Sequence, residues 1–109
     1  MKIIDNEYVI DKEEITTCLN MFNRSCPSLK NIKQCFTTFT ATDERAFKIV
    51  GKYDDGETEN FYFMVDLNSD TNFVELTMYD MFFDIVDEEE LYDDSIESYY
   101  DDFALESFN

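Results

Sequence analysis

The sequence predicts an α+β fold. One or two helices come first, an antiparallel β-meander of three to four strands fills the middle, and acidic helices close the chain. Three observations carry this. An apolar stripe at helical spacing runs from Ile15 to Phe22. Apolar and polar residues alternate in three stretches between Phe47 and Met78, with turn residues between them. Helical spacing returns from Met78 onward, in a segment crowded with acids. Period 3.6 marks a one-sided helix and period 2 a half-buried strand.

The elements follow in order. Asp11 and Glu14 stand three apart at the start of the first stripe, the spacing of a capping box. Ile10 and Ile15 take the staple positions, and Ile15, Cys18, Leu19 and Phe22 share one face, so a helix is expected over 12–24. Ser25, Cys26, Pro27 and Ser28 end it. The next stretch reads two ways. Leu29, Ile32 and Phe36 suit a short second helix, while Cys35 to Ala41, rich in β-branched and aromatic residues, suits a strand.

The middle alternates plainly. Phe47, Ile49 and Tyr53 alternate with Lys48, Val50 and Lys52, and Asp54-Asp55-Gly56 is a hairpin signal. Phe61, Phe63, Val65 and Leu67 form the inner row of the next strand, and Val74, Leu76 and Met78 that of the one after. The turn between them contains Asp66, Asn68, Asp70 and Asn72 at the first ligand spacings of an EF-hand. Thr71 stands where that loop needs Gly, and Thr77 where it needs the bidentate Glu, so a plain turn is expected. Met78, Met81, Phe82 and Ile85 return to helical spacing, as do Leu91, Tyr92, Ile96, Tyr99 and Phe103. One or two helices are expected there, with Asp87 to Glu90 as the joint between two or the first turn of the second, running through about residue 104, and with Tyr92 and Tyr99 closing the core.

The chain has 109 residues, which suits one domain spanning 1–109. It has no His and no Trp, and three Cys at spacings of eight and nine. Lack of His removes most zinc sites, the usual general base and the Ser–His and Cys–His pairs. No phosphate-binding glycine loop is present, the chain having only two Gly. No catalytic residue, metal or cofactor is expected, and an enzyme is not. Acids stand where a signal peptide needs an apolar core, and the cysteines read as reduced thiols, so a cytoplasmic location is expected. No apolar run is long enough to span a membrane.

Charge is the strongest signal. The formal net charge is −18. Residues 1–52 hold all 8 basic residues and 7 acids, whereas residues 53–109 hold 19 acids and no Lys or Arg. A charge of about 2–8 units suffices for the solubility of a small domain. Crowding like charges costs stability through self-repulsion, so a use is implied. Direct binding to nucleic acid needs a basic face and is excluded. The candidate contact residues are the hairpin acids Asp54, Asp55, Glu57 and Glu59, then Asp84, Asp87, Glu88, Glu89, Glu90, Asp93, Asp94, Glu97, Asp101 and Asp102, with Tyr100 as an aromatic anchor. On a helix, Asp93, Glu97 and Asp101 would form a ladder with steps of about 5.4 Å. Such a line imitates the phosphates of DNA, which present one charge per ~1.7 Å of duplex.

The small size, the acidity, the α–βββ–α order and the segment 87–102, DEEELYDDSIESYYDD, resemble phage-encoded DNA-mimic inhibitors, in particular small anti-CRISPR proteins. The resemblance is one of composition and element order. It implies a partner that is a basic DNA-binding protein in a bacterial host cell, an RNA-guided nuclease first, and carboxylates that engage arginines which otherwise read DNA. Other mimics of this style inhibit restriction enzymes or uracil-DNA glycosylase. Two readings compete: an immunity or antitoxin protein against a basic nuclease, and an acidic interaction module of the histone-chaperone or regulatory-subunit kind. Both a monomer and a homodimer fit the sequence.

Overall fold

A computed structural model describes residues 2–4, 7–38, 45–68, 70–93 and 96. Strands β1 (Lys2–Ile4) and β2 (Glu7–Val9) pair as a short antiparallel hairpin. Helix α1 (Lys12–Ser25) follows. Then come β3 (Lys30–Thr38), β4 (Arg45–Lys52), β5 (Thr58–Asn68), β6 (Phe73–Tyr79) and β7 (Ile85–Tyr92). These five form one antiparallel sheet in the order β3-β4-β5-β6-β7, so spatial order equals chain order.

The helix begins where the capping box sets it. Asp11 Oδ1 accepts from the backbone N–H of Glu13 (3.0 Å) and Glu14 (3.2 Å), and Glu14 Oε2 accepts from Asp11 N–H at 2.7 Å. Orphan donors of the first turn are satisfied in this way. A side-chain hydrogen bond with Glu14 holds the Asp11 carboxyl well below the usual carboxylate range. Asp11→Ala is expected to lower unfolding stability by about 0.5–2 kcal/mol in a denaturant titration. Because the folded-state value is depressed, the contribution is complete above the ordinary value of 3.8 and is lost as pH falls through the depressed one. The variant should therefore lose less stability than the wild type on acidification below about pH 4.

The buried face of α1 lies on one face of the sheet. Cys18, Met21 and Phe22 meet Phe47 and Ile49 of β4, Phe61 and Phe63 of β5, and Val74, Leu76 and Met78 of β6, and Ile96 completes the cluster. Burial pushes the Cys18 thiol up to about 12, so it packs as a small apolar group. Phe22 stacks edge-on against Phe61 with centroids 5.7 Å apart. Gly51 lets this ring come close, for a Cβ there would stand 3.1 Å from both Phe22 and Leu29.

The expected helix over 12–24 and the alternating strands are present. The stretch after Pro27 is strand β3, which decides between its two readings. The count of three to four strands is corrected to five in the main sheet. The expected helix from Met78 to Ile85 is not formed. Met78 ends in β6, a turn covers Met81 and Phe82, and Ile85 opens β7. The start expected for the second acidic helix is strand as well, as Asp87 to Tyr92 lie in β7. Like charges at i and i+4 destabilise a helix by about 0.2–0.5 kcal/mol per pair. A strand instead sends successive acids to opposite faces. Ile96 of that expected helix is helical, and its residues 94, 95 and 97–104 lie outside the described residues. Tyr92 does not close the core; it is 64% exposed and leans on Phe73, with ring centroids 5.8 Å apart.

Candidate functional site

β7 is an edge strand, and register decides what each of its acids does. Met78 pairs with Asp87, Leu76 with Glu89 and Val74 with Leu91, so Asp87, Glu89 and Leu91 lie on the helix side of the sheet. Glu88, Glu90 and Tyr92 lie on the other side, and all three are exposed. Charge on an edge strand also guards against pairing with another chain. Edge protection leaves the exposed apolar turn that precedes this strand unexplained.

The inward acids are matched by one cation from the helix. Arg24 Nε donates to Asp87 Oδ2 at 2.6 Å and Arg24 Nη1 donates to Glu89 Oε2 at 2.7 Å. Ser25 Oγ donates to the same Asp87 oxygen at 3.0 Å. The Arg24 guanidinium holds the Asp87 carboxyl below its usual range, and the two carboxylates hold Arg24 above its own. Asp87 and Glu89 therefore clamp the end of α1 to the sheet edge. Glu88 and Glu90 carry their charge outward, two strand residues or about 6.6 Å apart.

The turn between β6 and β7 is built on Asp80. Its Oδ1 accepts from Phe82 N–H at 2.8 Å and from Asp84 N–H at 3.0 Å. Asp80 N–H donates to the Asp84 carbonyl and Phe83 N–H to the Asp80 carbonyl, both at 3.0 Å. Phe83 sits at φ 63°, a left-handed conformation that a side chain this bulky rarely adopts. Its ring tilts over Tyr62, with centroids 5.7 Å apart. The turn exposes Met81, Phe82, Phe83, Ile85 and Val86, and Phe82 is the most open at 76%. Val86 is the extra residue of a β-bulge, since Tyr79 pairs with Ile85 and Met78 with Asp87.

The hairpin acids lie at the same end of the sheet. Asp54 and Asp55 sit on the β4–β5 turn, where Asp55 Oδ1 accepts from Glu57 N–H at 2.9 Å. Glu59 accepts from the Tyr53 hydroxyl at 2.6 Å, which raises the Tyr53 pKa. A shallow hollow lined by Tyr53, Glu59, Phe61, Asp80 and Val86 joins this hairpin to the β6–β7 turn. Asp54, Asp55 and Asp84 are exposed on the two turns at this end of the sheet, and Glu88 and Glu90 are exposed on the outward face of β7. Asp93 is half-buried, and its N–H donates to the Asn72 carbonyl at 2.8 Å. Asp94, Glu97, Tyr100, Asp101 and Asp102 lie outside the described residues, and beyond Asp93 the ladder expected as far as Asp101 lies there with them.

Asp66 and Asn68 end strand β5, paired with Glu75 and Phe73, and Asn68 Oδ1 accepts from Asp70 N–H at 3.1 Å as the chain turns toward β6. Among the described residues no group of three or more acids or thiols is placed to hold a metal ion. None of the described helices is long and apolar enough to cross a membrane. Sequence reasoning missed two features of this surface. The pairing of Arg24 with β7 spans more than sixty residues of chain and leaves no local signal. The exposed apolar turn was hidden because Met81, Phe82 and Ile85 match a helical stripe.

Comparison with protein-family models, curated proteins and solved structures finds no match to this chain. What the molecule offers chemically is an anionic rim beside a rigid apolar turn.

Proposed function

We propose that this chain is a DNA-mimic inhibitor. It occupies the basic nucleic-acid groove of another protein in a bacterial cytoplasm, an RNA-guided nuclease first among the candidates, and it performs no catalysis itself. A restriction enzyme or a DNA glycosylase is the next candidate target. The carrying observation is the acidic edge strand. Asp87, Glu88, Glu89 and Glu90 stand in succession on β7, in a chain with no cation after Lys52. The two that face outward, Glu88 and Glu90, stand about 6.6 Å apart, roughly two phosphate steps along one DNA strand. Opposite charge accelerates encounter and confers salt dependence.

The test is displacement. The full chain is titrated into an RNA-guided nuclease, a restriction enzyme and uracil-DNA glycosylase, each already bound to labelled DNA. Loss of DNA from one of them, weakened by added salt, is the expected result. A complex that keeps DNA and the chain together would reject mimicry and favour an acidic regulatory module. Failure to displace DNA from any of the three would reject the proposed targets.

A further inference from the structure

The apolar turn has no place on a surface built only to copy phosphates. The backbone face of a DNA duplex is ionic, and its bases are stacked out of reach. A groove for a single strand is different, for it combines Lys and Arg along the backbone with aromatic platforms on which unpaired bases stack. Two observations fit such a groove. On its outward face β7 carries one carboxylate per ~6.6 Å, sparser than the phosphates of either form and closer to one nucleic-acid strand than to a duplex. Immediately before it, the turn holds a 76%-exposed Phe82 ring, with Asp84 on one side and the Asp80-capped backbone fixing its position. Four hydrogen bonds through Asp80 and Asp84 order this turn in the free protein. Its shape is therefore set before contact, which lowers the entropy lost on docking.

We infer that the β6–β7 turn is the anchor of the interface, and that its partner is a protein groove made for single-stranded nucleic acid. Phe82 enters an apolar or aromatic-lined base pocket, while Asp84, Glu88 and Glu90 meet the cations that hold the strand's phosphates. Ile85 and Val86 line the base of the finger, and Phe83 braces it from behind against Tyr62. Arg24 is engaged by Asp87 and Glu89 on the helix side, so it does not cancel the outward charge. This inference rests on the mimic reading and narrows its target.

The experiment uses the full chain immobilised on resin and a nuclease-treated bacterial lysate. Retained proteins are eluted at fixed salt with oligo(dT) or with duplex DNA at equal phosphate concentration. Each eluted protein is identified, purified and its affinity for the chain measured. Oligo(dT) is expected to elute the partner at least tenfold more effectively than duplex. Phe82→Ala is expected to weaken that protein's binding at least tenfold while circular dichroism stays unchanged, as suits an exposed side chain. Equal elution by duplex, or unchanged affinity of Phe82→Ala, would overturn the inference and leave mimicry standing. Elution by neither DNA would defeat the mimic reading itself. Sedimentation of the wild type and Phe82→Ala gives one further outcome: a dimer that the substitution dissolves would assign the turn to a second copy of this chain and overturn the inference.

Discussion

Glu88→Lys combined with Glu90→Lys is expected to abolish displacement of DNA from the target, with affinity falling about 100-fold or more. Close charge pairs across a protein interface have coupling energies of about 1.5–7 kcal/mol. Two reversals replace attraction with repulsion, and 100-fold corresponds to only about 2.7 kcal/mol. Both residues are exposed and face away from the helix, so the fold should survive, which circular dichroism checks. The dependence of affinity on salt should flatten in the same variant. The matched control is Asp87→Asn with Glu89→Gln. Those substitutions remove the partners of Arg24, so they should loosen β7, read as faster amide exchange along the strand, with a smaller loss of affinity. If the control lost as much affinity as the reversal with no change in exchange, the inward acids would be the contact and the orientation argued from register would be wrong.

Phe22→Ala is expected to cost about 3–5 kcal/mol of unfolding free energy, measured by denaturant titration. The ring is fully buried, sits edge-on to Phe61 and lies over Gly51. No neighbouring backbone can collapse into the space without moving α1 from the sheet. A domain of this size has roughly 5–15 kcal/mol in hand. The variant should therefore be close to unfolding at 25 °C, and added salt should partly restore it by screening the acids. A loss below about 1 kcal/mol would show that α1 does not anchor the sheet as described.

Phe22 and the acids of β7 also show which parts of the molecule were legible in sequence. Phe22 was legible, because its neighbours Ile15, Cys18 and Leu19 repeat at helical spacing and Asp11 with Glu14 announces the start. The strands β4, β5 and β6 were legible for the same kind of reason, since alternate residues are apolar and the turns carry Asp, Asn and Gly. β7 was not. A run of four acids has no period of its own, and Leu91 with Tyr92 fitted a helix as well as a strand. What decided it was pairing with β6 and the reach of Arg24, both of them tertiary facts. β3 was ambiguous because Leu29, Ile32 and Phe36 and the β-branched residues beside them support different periods. The β1–β2 hairpin is too short, at three residues a strand, to give a pattern. The candidate site was legible as a quantity of charge and not as an arrangement. Counting acids located the hairpin and β7 but could not distinguish Asp87 and Glu89, turned to the helix, from Glu88 and Glu90, turned to solvent.

Chain-order pairing of the sheet has a kinetic consequence. Every strand from β4 to β7 finds a partner in the strand just before it, so each closure spans a short loop. Closing a short loop costs little entropy, and topologies dominated by nearby contacts fold quickly. During synthesis the sheet can grow one strand at a time as the chain emerges, and the anionic edge joins after the other described strands, when the cationic helix end already waits to receive it. A protein assembled in that order reaches its folded form soon after translation, which suits the inhibitor proposed above.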